Sequence, residues 1–129
     1  MSASLSASKR DRFIRKLIAD TKAGEVEWYP EAPNPPESRL SEHYINYLYR
    51  TTVAGKTIQL GEVRYPFFLD DEKFVFEERP VLEFCDYYGN IEWRFPSSSD
   101  LYELLDVARK EAFDVESAID KYLESAGQE

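Results

Sequence analysis

The sequence predicts an α+β fold. It reads as an N-terminal amphipathic helix, an antiparallel β-meander of about four to six strands, and two C-terminal helices packed on one sheet face. Three observations predict this. Apolar residues recur at helical spacing within residues 8–24, the period changes to two from His43 to Phe95, and helical spacing returns after Pro96. Strands grouped between helices, with no strand–helix alternation, point away from a parallel βαβ arrangement.

Each element has its own signal. Residues 1–7 are Ser, Ala and one Leu after the initial Met, and read as a flexible tail ahead of one domain over 8–125. In "SKRDRFIRKLIADTKAG", Ser8 is a candidate cap and Asp11 sits three residues on. Phe13, Ile14, Leu17 and Ile18 then share one helical face, and Gly24 suits the end. "EVEWYP" alternates Val26 and Trp28 with acids, as a short strand does. "PEAPNPPES" has four prolines in nine residues, which excludes a regular helix or an interior strand and predicts an extended surface crossing.

Period two governs the middle of the chain. Ile45, Tyr47, Tyr49, Thr51 and Val53 fall on one strand face, and "AGK" at 54–56 turns the chain. "TIQLGEVRYPFFL" continues as a strand whose alternation slips near Gly61, predicting a bulge there. "DDEK" at 70–73 is a turn, and "FVFEE" alternates again. After Pro80, "VLEFC" is nearly all apolar, as in a central strand covered on both faces. "DYYGN" is a hairpin loop, because Gly89 and Asn90 tolerate positive φ. "IEWRF" should send Ile91, Trp93 and Phe95 inward and Glu92 and Arg94 outward. Ser99 or Asp100 caps a helix striped by Leu101, Leu104, Leu105 and Ala108. Asp114 restarts a last helix striped by Val115, Ala118, Ile119, Tyr122 and Leu123.

Charge bounds the function. The net charge is −9, but residues 1–24 hold six bases against two acids, while residues 25–129 carry a net −13. Such a surface repels phosphate backbones and disfavours general nucleic-acid binding. The basic and acidic ends can attract each other, within a molecule or between two. No apolar run is long enough to span a bilayer, and the N-terminus lacks the apolar core of a secretory signal. With one cysteine there is no internal disulfide, which fits a cytoplasmic setting.

Chemistry-bearing motifs are sparse. Cys85 and His43 are single residues of their kinds, and Cys85 lies in an apolar run where a thiol is usually an inert hydrophobe. Neither a catalytic pair nor a His/Cys metal cluster is expected, and no cofactor is implied. No phosphate-cradling glycine loop or nucleophile elbow is present. Carboxylates at Asp70, Asp71, Glu77, Glu78 and Glu83 leave a metal-dependent hydrolase as an alternative, which requires them to converge.

Aromatic residues make up 15% of the chain, more than one core needs. The surplus is assigned to a sheet face away from the helices: Tyr44, Tyr87 and Tyr88, with Tyr65, Phe67 and Phe68 opposite the strand of Tyr49. Such a face suits a protein partner or self-association, including a homodimer. A ligand or single-stranded nucleic acid stacked on the tyrosines is the other reading. Arg12, Arg15 and Lys16 on the basic helix back form a second candidate patch, and the acidic remainder could mimic phosphate charge towards a DNA-handling protein. A non-enzymatic interaction module is therefore the leading expectation.

The stretch "LIADTKAGEVEW", the meander ending "DYYGNIEWRFP" and the following "LYELLDVARKEAFDVESAIDKYL" together resemble small uncharacterised prokaryotic single-domain proteins. Those have an N-terminal helix, a β-meander and a helical hairpin. The resemblance covers residues 10–124 and implies the fold, with no catalytic residue to carry over. The proline stretch at 30–36 departs from its pattern.

Overall fold

The computed structural model describes residues 6–127. The expected tail falls outside them at residues 1–5. The chain runs α1 (Ala7–Lys22), β1 (Tyr29–Glu31), β2 (His43–Val53), β3 (Lys56–Phe68), β4 (Phe74–Cys85), β5 (Ile91–Arg94), α2 (Asp100–Ala112) and α3 (Val115–Gly127). The strands form one antiparallel sheet in the order β1-β2-β3-β4-β5. Short connections between neighbouring strands leave a meander as the direct solution. No helix among the described residues is long and apolar enough to cross a membrane.

Helix α1 begins earlier than its sequence signal. Ser6, not Ser8, is the N-cap, and its hydroxyl accepts the Lys9 N–H at 3.2 Å. Ile14, Leu17 and Ile18 point into the core, and Gly24 turns the chain at φ 78°. Helix α2 packs Leu101, Leu104, Leu105 and Ala108 beside them. Both cover one sheet face, lined by Tyr49, Ile58, Leu60, Leu82 and Phe95. Phe13 stacks on Phe95 with ring centroids 5.5 Å apart.

Trp28 precedes β1 and locks it to both helices. Its ring is buried, and its indole N–H donates to the Thr21 hydroxyl at 3.0 Å. That hydroxyl in turn donates to the Leu17 carbonyl. The Trp28 backbone N–H donates to the Glu111 carboxylate at 2.7 Å. A buried indole needs such a partner, so these bonds anchor the chain before it enters the proline segment.

Two strand irregularities differ from the sequence expectation. The bulge lies in β2, between Ile45 and Tyr49, where Asn46 takes φ 57°. On β3 the pairing with β4 runs unbroken through Gly61, and Gly61 lies opposite the β2 bulge, between the pairs Ile45↔Glu62 and Tyr49↔Leu60. Gly61 is small for another reason: a Cβ there would lie 2.7 Å from the Tyr44 ring. Second, β4 runs continuously through Pro80. Strand β5 pairs only with Glu83–Cys85, so β4 is an edge strand at Pro80, where a missing N–H is tolerated.

Beyond the end of β2 at His43, β3 and β4 continue as a two-stranded ribbon, paired from Tyr65↔Glu77 to Phe68↔Phe74. Four residues per strand give it a length of about 10 Å. Helix α3 follows Asp114, which takes φ 49°. Its stripe was expected to share the sheet face with α2, but Ile119, Tyr122 and Leu123 are 53%, 75% and 62% exposed. Helices α1 and α2 with Trp28 make the core on that face, and among the described residues α3 adds none to it.

Candidate interaction surfaces

The second sheet face, away from the helices, is not a bare aromatic surface. Arg50, Gln59, Glu83 and Arg94 form a polar row across it, one residue from each of β2 to β5 in direct register. Glu83 is 0% exposed. Its carboxylate accepts from Gln59 Nε2 at 3.1 Å and from Arg94 Nε at 2.9 Å. Gln59 also donates to the Tyr44 hydroxyl and accepts from Arg50 Nε, and Arg50 pairs with Glu31 at 2.8 Å. Burial raises the pKa of Glu83, and the Arg94 bond opposes that rise. The network fits the rule that a buried charge is kept only with partners.

The proline-rich segment crosses this face as a strap. Pro35, Pro36 and Glu37 line a cleft with Tyr44, Leu48, Arg50 and Gln59. At the end of the strap, Glu42 pairs with Arg94 at 3.0 Å and with Arg79 at 3.5 Å. The Arg94 hydrogen bond, and then the charges of both arginines, hold the Glu42 pKa below its ordinary value against partial burial. Arg79 stacks on the Tyr65 ring, 4.8 Å from its centroid, and its buried Nε has no hydrogen-bond partner among the described residues.

The aromatic candidates separate into four environments. Tyr49 is corrected: it is a core residue on the helix-covered face, 1% exposed, and its hydroxyl accepts from Arg109 Nε. The bulge at Asn46 leaves Tyr49 paired with Leu60 on that face. Tyr44 is half-buried against Gly61. Tyr65 and Phe67 lie on the ribbon, where the Tyr65 hydroxyl donates to Glu77 and Phe67 is exposed. Tyr87 and Tyr88 stand out at the β4–β5 hairpin tip, 91% and 85% exposed. Asp86 ties that loop by accepting the Tyr88 and Asn90 N–H groups, with Gly89 at φ 87°. Phe95, just after β5, is buried, whereas Trp93 and Ile91 on β5 stay exposed because β5 ends the sheet.

On α1, Arg12, Arg15 and Lys16 are exposed. Arg15 reaches Asp100 at 3.7 Å and Lys16 pairs with Asp20 at 3.1 Å, so intramolecular partners take up part of this patch. Surface pairs of this kind contribute little to stability.

The carboxylates named for hydrolysis do not converge. Asp70 accepts the N–H groups of Glu72 and Lys73, Glu77 holds Tyr65, Glu78 pairs with Arg64, and Glu83 pairs with Arg94. Among the described residues, no group of three or more His, Cys, Asp or Glu is placed to hold a metal. His43 and Cys85 oppose Arg64 and Thr57 on β3, seven residues apart, which separates them by roughly 23 Å. Cys85 is buried, and burial pushes its thiol pKa up.

Two exposed apolar surfaces remain. The ribbon presents Phe67, Phe68, Leu69, Val75 and Phe76, and residues 62–79 carry six acids against three bases. The other is the stripe of α3, with Phe113 and Tyr47 close to its start. The sequence signal for the polar row was available in retrospect. Glu83 interrupts an apolar run, and such a charge demands partners from neighbouring strands. Comparison with protein-family models, curated proteins and solved structures finds no match to this chain.

Proposed function

We propose that this chain is a non-enzymatic interaction module that self-associates through the apolar stripe of α3. The carrying observation is the exposure of Ile119, Tyr122 and Leu123 on an amphipathic helix that the core does not use. A helix with one apolar face ordinarily buries it, and contiguous exposed apolar surface marks an interface. The occupant is a second copy, on grounds of charge. Residues 7–22 carry six bases against two acids, and α3 carries Glu116, Asp120 and Glu124 against Lys121. The exposed bases Arg12, Arg15 and Lys16 of one copy attract the acids flanking the α3 stripe of the other.

Sedimentation velocity over a range of concentrations tests this. The wild type should dimerise, more weakly at high salt, and Tyr122→Glu with Leu123→Glu should return it to monomer without loss of helicity. A wild type that stays monomeric at high micromolar concentration removes the proposal. A dimer insensitive to the α3 pair but broken by Phe68→Glu and Phe76→Glu transfers the interface to the ribbon.

A further inference from the structure

Glu42 is the strap's ionic tie to the sheet, and its site is built from groups that do not belong to the strap. Arg94 from β5 donates to the Glu42 carboxylate through Nη1 at 3.1 Å, and its Nη2 pairs with the other oxygen at 3.0 Å. Arg79 from β4 approaches at 3.5 Å. Both guanidiniums are held independently of Glu42. The Nε of Arg94 is taken by Glu83 at 2.9 Å, and the ring of Tyr65 carries Arg79. Guanidiniums oriented in this way by a sheet form a carboxylate receptor. Charge points the same way. Arg79, Arg94, Glu83 and Glu42 sum to zero, so displacing Glu42 leaves one uncompensated positive charge. The Arg79 Nε, buried and without a partner among the described residues, is a donor that Glu42 does not satisfy.

We propose that Arg79 and Arg94 form a carboxylate-binding site in which Glu42 is an internal, displaceable occupant. The incoming group is a single carboxylate, borne by a free acid or by an acidic peptide laid along the path of the strap. It exchanges one anion for another, so the net charge of the clamp is unchanged. Strap release accompanies the exchange, because Glu42 contributes the ion pairs that join residues 32–42 to β4 and β5. This goes beyond self-association through α3 and does not depend on it.

The test uses the full chain and the arginine Nε–H signals of Arg79 and Arg94 in heteronuclear NMR. Glu42→Ala empties the clamp and leaves the core untouched. Titrated with acetate, this variant should show saturable shifts of both signals, at concentrations about tenfold or more below those the wild type requires. A peptide copying residues 31–42 of the chain provides the second arm. Saturation by the peptide at lower concentration than acetate assigns the site to a chain-borne carboxylate, and the reverse order assigns it to a free acid. Adding Arg79→Met at this partly exposed position should abolish the saturable shift of the Arg94 signal, with an unchanged backbone amide spectrum showing that the fold is kept. Absence of saturable shifts in Glu42→Ala, or identical titrations of variant and wild type, overturns the proposal.

Discussion

Replacing Arg94 with Met strands a buried charge. Glu83 has no exposed surface, and among the described residues its ionic partner is Arg94 alone, which leaves the neutral Gln59 bond once the guanidinium is gone. Removing one member of a fully buried pair costs about 3–5 kcal/mol. The Arg94 side chain is 31% exposed, so water can enter where it stood, and the expected loss is reduced to about 2–3 kcal/mol near neutral pH. The pH dependence has a definite sign. Burial already raises the Glu83 pKa, and losing Arg94 raises it further. A carboxyl whose folded pKa lies above its unfolded value binds more protons when folded, so stability falls as pH rises through that window. The penalty of Arg94→Met should therefore shrink as pH is lowered and Glu83 takes a proton. Urea unfolding followed by the fluorescence of Trp28 and Trp93 measures it, with the slope unchanged. Adding Glu83→Leu should restore more than half the loss, since an apolar pair needs no partner. A loss below about 0.5 kcal/mol, or one independent of pH, would refute the reasoning about a stranded charge.

Other substitutions address separate parts of the fold. Thr21→Val removes the acceptor of the buried Trp28 indole and should cost about 1–3 kcal/mol in urea unfolding, while Thr21→Ser keeps most of the stability. Gly61→Ala places a methyl group against the Tyr44 ring and should cost about 1–3 kcal/mol; Tyr44→Ala in the same chain should remove most of that increment, and additive losses would count against the contact. Cys85 should react with an aromatic disulfide reagent far more slowly in the folded protein than in urea, because burial both hides the thiol and raises its pKa; equal rates would contradict its placement.

Local periodicity carried most of the fold. The stripes of α1 and α2 reached the core as expected, because each helix writes its buried face into its own residues at i, i+3 and i+4. The hairpin at Gly89 was equally legible, since positive φ selects glycine. The candidate surfaces were less so. Tyr49 sat in a correct strand on the wrong face, because the bulge at Asn46 alters how β2 meets β3 and no residue spacing announces it. The stripe on α3 was read correctly as apolar, but its burial depended on where the chain after Asp114 leads the helix, and it stays outside the core.

The amino-acid sequence by itself determined the order of helices and strands, the meander and the charge asymmetry. These follow from the repeat of side chains along one segment and from the short connections between β2 and β5, which favour pairing of consecutive strands. Tertiary structure alone decided which charges meet. Glu83 is separated from Gln59 by 24 residues and from Arg94 by 11, and Glu42 from Arg94 by 52. Strand register brings these groups into one row and one clamp, and register is a property of pairs of strands, which no single strand's residues encode.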